Sequence, residues 1–182
     1  MLPEVKNFGR SVLWNEVAKR MTGQQNFSQL IGLIAAVGIC FAAAGLGSLF
    51  TAPAIAGWYA TINKPAWNPP NWIFGPVWST LYLLMAIAAW LVWRDWGFQA
   101  AGLAFTFFAL QLCLNALWSY LFFGLHKPAF AFIEIIFLWL AILATLIAFF
   151  KLNTLAGALL LPYILWVTFA AFLNYTIWKL NS

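Results

Sequence analysis

The chain has very little charge. Nine Lys/Arg, four Asp/Glu and one His are all that 182 residues carry, so charged residues make up 7% against the quarter or so of an ordinary soluble domain. Histidine is nearly absent: His126 stands alone beside Lys127. That scarcity excludes a zinc centre built on histidines, and no Ser-His-Asp set can be assembled around His126. There are two cysteines, Cys40 and Cys113, with no CxxC spacing. Both fall inside apolar runs and read as small packing residues rather than a disulfide or metal pair. No Gly-rich phosphate loop occurs. The net charge of +5 lies mostly in the first 27 residues and at the edges of apolar runs. It points to anionic lipid and not to nucleic acid.

What is present is apolar: 65% of the chain is hydrophobic and 19% aromatic, with 12 Trp. No ionised residue occurs in 21–63, 65–93, 96–126 or 152–178. Each window holds a span of about 20 residues. These runs are apolar on all sides, whereas a membrane β-barrel needs alternation. The expectation is an all-α membrane protein of five transmembrane helices, near 29–50, 74–93, 100–123, 129–150 and 155–178. Residues 28–182 form this domain.

Residues 1–27 form an extension of another kind. Lys6, Arg10, Lys19 and Arg20 face Glu4 and Glu16, and no secretory leader is expected from this pattern. Leu13, Trp14, Val17 and Met21 fall on one arc, which fits an interfacial helix, while a disordered tail fits the composition equally well. With five spans the N-terminal side carries six Lys/Arg (Lys6, Arg10, Lys19, Arg20, Arg94, Lys151) and the other side three (Lys64, Lys127, Lys179). The charge bias places the N-terminus in the cytoplasm.

Several packing signals lie inside the spans. Gly32, Ala36, Cys40, Ala44 and Ser48 form a small-residue stripe, suited to close packing on a neighbouring span and, as a second choice, to a dimer face. Ala100, Ala101, Gly102 and Ala104 could serve a homodimer too. Pro128 suits the first turn of span four. Pro162 should bend span five and free the Ala158 carbonyl. Glu134, the lone acid within a span, is expected to snorkel toward the interface near Lys127.

Three spans carry aromatic-plus-amide stripes at helical spacing: Trp78, Tyr82, Met85 and Ala89; Gln111, Asn115, Trp118 and Phe122; and Tyr163, Ala170 and Asn174 with Trp166 nearby. Lipid offers an amide no partner, so these groups should face the bundle interior. Two roles fit them. They can hydrogen-bond between helices, or they can line a cavity for a flat apolar ligand with polar edges.

The segment after span one reads WYATINKPAWNPPNWIFGPVWSTLY, residues 58–82. With QLCLNALWSYLFFG in span three and LLPYILWVTFAAFLN in span five, it resembles the TspO/MBR family, the bacterial tryptophan-rich sensory proteins and the mitochondrial translocator protein. The pattern W-Y-x-x-L-x-K-P-x-W-x-P-P departs only at Ile62, where Leu is usual. The resemblance covers about 29–180 and implies a five-helix bundle, often dimeric, whose pocket opens beneath the loop between spans one and two.

The same resemblance implies a ligand: protoporphyrin IX-type tetrapyrroles, with sterols and benzodiazepine-type drugs for some members. It makes the 58–72 loop a lid, stiffened by Pro65, Pro69 and Pro70 and anchored by Trp67 and Trp72. The lining it implies is Tyr59, Trp78, Tyr82, Gln111, Asn115, Trp118, Trp166, Ala170 and Asn174. Lys64 is either the cation for an acidic ligand edge or a snorkelled interfacial lysine. Trp78 and Trp166 match the tryptophans tied to light-dependent porphyrin degradation in some bacterial members. Leu173, Tyr175 and Lys179 fit a loose sterol pattern. No cofactor is implied as required and no metal site is expected. The functions in play are porphyrin sequestration, transport or stress sensing, photochemical degradation, and a sterol or lipid scaffold.

Overall fold

Uncharged windows long enough to cross a bilayer must satisfy their own backbone groups, and a helix does so within one segment. The computed structural model describes the backbone of residues 4–182 and the side chains from residue 26 on; the arc of Leu13, Trp14, Val17 and Met21, like residues 1–3, lies outside the described residues. Its helices are α1 (Glu4–Ala56), a single turn α2 (Trp58–Thr61), α3 (Asn71–Ala100), α4 (Gly102–Ser119), α5 (Pro128–Leu152), α6 (Thr154–Leu159) and α7 (Leu161–Leu180). Among the described residues five stretches are long and apolar enough to cross a membrane: Asn26–Ala56, Asn71–Ala100, Gly102–Gly124, Pro128–Leu152 and Thr154–Leu180. All five expected spans are present, each extended at one or both ends.

The ends have local causes. α3 continues to Ala100 across a break at Gly97, whose φ of +65° is one that side-chain-bearing residues rarely adopt. There the Trp96 indole N–H donates to the Leu152 carbonyl (2.9 Å) and the Asn153 amide donates to Asp95 (2.6 Å), tying α3 to the α5–α6 junction. α4 runs into a widened turn over Tyr120–Gly124, closed by the Leu125 N–H on the Tyr120 carbonyl at 2.8 Å. Pro128 opens α5 in its first turn, as expected. Pro162 acts more strongly than a bend: the span divides at Leu160 into α6 and α7, with the proline in the first turn of α7.

α1 packs on α3 and α4 through its small residues. Cys40 is fully buried, Ala36 and Ala44 pack on the core, and a methyl at Gly32 would overlap the Trp93 indole. The intramolecular reading of that stripe therefore holds from Gly32 to Ala44, while Ser48 does not pack on a neighbouring span. The opposite face of α1, including Ile34, Leu46 and Leu49, is exposed to what would be lipid. Cys113 also faces outward and is not a packing residue of the core.

Glu134 departs from expectation. Its side chain is only 7% exposed, and neither carboxylate oxygen has a hydrogen-bond partner among the described residues. It lies on the inward face of α5 with Ala131, Ile135 and Leu138, so it cannot reach the interface at Lys127. The helix phase that buries those three neighbours carries Glu134 inward with them. An unpaired charge there would cost several kcal/mol. Glu134→Gln, which keeps the volume and removes the charge, is expected to leave the thermal midpoint in detergent unchanged or raised; a drop of several degrees would contradict the unpaired placement.

Candidate functional site

The polar residues of the spans meet in one hydrogen-bonded chain. Tyr82 donates its hydroxyl proton to Asn115 Oδ1 (2.6 Å), and Asn115 Nδ2 donates to Tyr163 Oη (2.9 Å). The Tyr163 hydroxyl donates to Gln111 Oε1 (2.9 Å), and Gln111 Nε2 points to Met85 Sδ at 3.7 Å. All donors run in one direction, so each bond polarises the next. The chain joins α3, α4 and α7. One helical turn along α4 from Asn115, the Trp118 indole N–H donates to Asn174 Oδ1 (3.0 Å), and Asn174 Nδ2 donates to the Pro128 carbonyl (2.8 Å), which adds α5.

This network borders a cavity of about 460 Å3. Tyr82 and Asn115 contribute to its lining, as do Trp78, Trp118, Trp166, Ala170, Leu173 and Asn174. α1 forms a further wall with Phe41, Ala44, Gly45, Gly47, Ser48 and Thr51. Phe74 and Ser79 of α3 and Phe122 and Phe123 of the widened turn also reach it, and α5 contributes no lining. In a regular helix Phe122 and Phe123 would diverge by about 100°. Its aromatic rings pack on one another and on the network: Trp78 lies 5.8 Å from Tyr82 and 6.2 Å edge-on to Tyr163, and Phe74 meets Trp166 edge-on at 6.0 Å.

The loop after α1 sits across one end. Tyr59 is buried and also lines the cavity. Its hydroxyl donates to Asn68 Oδ1 at 2.8 Å. Burial pushes the phenol up to about 12, partly offset by the Asn68 bond, so it stays a neutral hydroxyl through the physiological range. Trp58 stacks on His126 at 4.5 Å and 15°, joining this loop to the α4–α5 loop. Trp67 and Trp72 are half to mostly exposed, as interfacial anchors would be. Asn63 and Asn181 exchange bonds: Asn63 N–H to Asn181 Oδ1 and Asn181 Nδ2 to the Asn63 carbonyl, both 2.9 Å. The C-terminal end of α7 thus holds the loop down.

Two expected ligand-site residues, Lys64 and Gln111, are turned away from the cavity. Lys64 turns its ammonium back onto the loop, donating to the carbonyls of Tyr59 (2.6 Å) and Ile62 (3.0 Å), 5.0 Å from the Tyr59 ring centre. It caps α2 rather than facing the cavity. Gln111 is buried behind Tyr163 as the inner end of the hydrogen-bonded chain, away from the cavity surface. The residues of α1 were missed as lining because Ala44 and Ser48 read as packing positions. The sterol trio divides: Leu173 is buried at the cavity, while Tyr175 is 43% exposed and Lys179 sits 4.4 Å from the Trp178 ring.

Among the described residues that line the cavity none is Lys, Arg, His, Asp or Glu. Such a cavity can recognise by ring stacking and a few neutral hydrogen bonds, and offers no ordinary acid, base or nucleophile pair. Together these features define a multi-pass integral membrane protein with an aromatic-lined cavity beneath the loop that follows α1. The chain matches the TspO/MBR family over residues 36–179. It is 40% identical over 154 residues to the tryptophan-rich protein TspO of Chlorobaculum tepidum, covering 84% of this chain and 98% of that one. It is 44% identical to the tryptophan-rich sensory protein of Cereibacter sphaeroides (68% and 77% covered) and 37% identical to the translocator protein of Homo sapiens (75% and 82%). The chain belongs to the TspO/MBR family.

Two outcomes follow from the geometry. Asn115→Ala leaves the Tyr82 hydroxyl without its acceptor and takes one of Tyr163's two bonds, and should lower unfolding free energy by about 1–2 kcal/mol, read as a lowered thermal midpoint in detergent. An unchanged midpoint would mean the chain of bonds does not hold the helices. Asn181→Ala should speed amide hydrogen exchange across residues 59–70 while leaving α3 and α5 protected. Equal exchange in both proteins would remove Asn181 as the clamp.

Proposed function

We propose that this protein is a membrane receptor for a flat tetrapyrrole of the protoporphyrin IX class, acting in porphyrin sequestration, transport or stress sensing. The observation that carries the reading is the cavity itself. Its volume falls in the range of about 300–1,000 Å3 typical of small-molecule sites, and three indoles, Trp78, Trp118 and Trp166, line it with neutral polar groups beside them. Such walls suit a wide aromatic macrocycle better than a flexible polar metabolite. Lys64 enters this reading only if ligand propionates draw it away from its loop carbonyls.

Ala170 is the sharpest test. A larger side chain there projects into the cavity. Ala170→Thr should weaken protoporphyrin IX binding roughly tenfold, consistent with an overpacking cost of about 1–3 kcal/mol. Tryptophan quenching in a detergent titration reads this, and unchanged affinity would take Ala170 out of the binding surface.

A second reading, photochemical degradation of the bound porphyrin, is favoured by the presence of both Trp78 and Trp166 in the cavity wall. An indole touching an excited porphyrin can give up an electron or react with the singlet oxygen it generates. Under illumination, light-driven loss of the Soret band that disappears in Trp78→Phe/Trp166→Phe supports the enzyme. Saturable binding with stable pigment supports the receptor alone. A sterol-binding role is the weakest of the three, because Leu173 faces the cavity while Tyr175 and Lys179 lie on the outer face of α7.

A further inference from the structure

A second concavity of about 570 Å3 lies on the outside of the bundle, in the seam between α5 and α7. Ala171 and Thr168 are its α7 contribution between larger side chains, and Phe132, Ile136 and Trp139 are prominent on the α5 side. Phe172 and Ile136 are 67% and 47% exposed, so the groove opens sideways, in the direction of the hydrocarbon. Its central polar groups are already spent: the Trp139 indole N–H donates to Thr168 Oγ1 (2.8 Å), and that hydroxyl donates to the Ile164 carbonyl (2.8 Å). An occupant of this stretch therefore needs no polar atom. From Phe132 to Leu140 the groove follows α5 for ~12 Å along the helix axis, a shape for a chain rather than a ring.

One end of the groove is different. Phe132 packs against Tyr175 (5.2 Å) and Trp178 (5.9 Å). Lys179 stands over that aromatic group, 4.4 Å from the Trp178 ring and 5.8 Å from the Tyr175 ring. Lys179 makes no ion pair among the described residues, where Arg94–Asp95 is the one pair found. It lies one residue from the end of α7, at the level where a span leaves the bilayer and headgroups begin. An apolar trough leading to an unpaired cation ringed by aromatics matches a molecule with a long hydrocarbon tail and an anionic head.

We propose that the α5–α7 groove is a binding site for one anionic phospholipid, its acyl chain along Ala171 and Trp139 and its phosphate on Lys179. The site is separate from the inner cavity, since Tyr175 and Phe172 belong to the groove alone and Leu173 to the cavity alone. A sterol fits less well, because its rigid ring system gains nothing from a trough whose one polar demand is a cation at the mouth. Of the two acids whose side chains are described, neither is free to reach Lys179 from a second copy of the chain: Glu134 is buried, and Asp95 is held by Arg94 and Asn153.

The test uses the full chain reconstituted into bilayers of equal phosphatidylglycerol and phosphatidylcholine, released into mild detergent and weighed by native mass spectrometry. The protein should retain one phosphatidylglycerol over phosphatidylcholine by about fivefold, the ratio for one lysine at an anionic surface. Lys179→Gln should bring that ratio near one while still retaining lipid. Ala171→Phe, which fills the trough from the outer face, should reduce retention of both lipids. Equal retention of the two lipids by the wild type, or full retention by Ala171→Phe, would overturn the proposal. So would an Ala171→Phe chain that changes from dimer to monomer with its lipid count intact, which would assign the face to a second copy.

Discussion

The hydrogen-bonded chain from Tyr82 through Asn115 and Tyr163 to Gln111 is the constraint on which the rest depends. In hydrocarbon an unpaired amide or phenol finds no solvent, so these four groups must find one another. Doing so fixes the rotation of α3, α4 and α7 about their axes. Once those rotations are fixed, Trp78, Trp118 and Trp166 have one place to go, which is the cavity on the loop side of the network. The question whether the buried amides are glue or lining therefore has a divided answer. Gln111 is glue, Asn115 and Asn174 are both, and the bonds that hold the bundle also shape the polar edge of its cavity.

The roof is held differently from the floor. Tyr59, Asn68 and Lys64 satisfy one another and the loop's own carbonyls, so the loop keeps its shape largely through internal bonds. It is joined to the bundle by the Asn63–Asn181 exchange, the Trp58–His126 stack, the packing of Trp58 and Tyr59 on Phe122 and Phe123, and the edge contact of Trp67 with Phe169 at 5.8 Å. The roof is thus tied down by buried aromatic packing as well as by hydrogen bonds. The residues that would stack a ligand lie beneath it on long helices, where they are preorganised.

Much of this was legible in the sequence, for physical reasons. Charges are costly in hydrocarbon, so four uncharged windows outline four of the spans, and the remaining one, α5, is apolar throughout its middle apart from Glu134. Helical periodicity places Tyr82, Asn115 and Asn174 on inward faces, and they are inward. What periodicity cannot supply is which neighbour a side chain meets. Lys64 and Gln111 are polar and close to the site in sequence, yet nearer partners take both before they reach the cavity: loop carbonyls accept from Lys64, and Gln111 accepts from Tyr163. Glu134 looked near enough to the membrane edge to snorkel, but the phase of α5 turns it inward. The α1 wall was hidden because small residues look alike whether they admit another helix or leave room for a ligand. The widened turn at 120–124, which brings Phe122 and Phe123 together, has no composition signal at all.

The central claim is that the space framed by this network is a ligand site and not a packing defect. Thermal unfolding with and without saturating protoporphyrin IX, on the wild type and on Ala170→Trp, tests it most directly. A ligand held only by the folded state raises its stability by about 2.7 kcal/mol at a hundred times its dissociation constant. The account predicts a saturable rise in the wild-type midpoint and none in the filled-cavity variant. An equal rise in both proteins, or no rise in either, would contradict it.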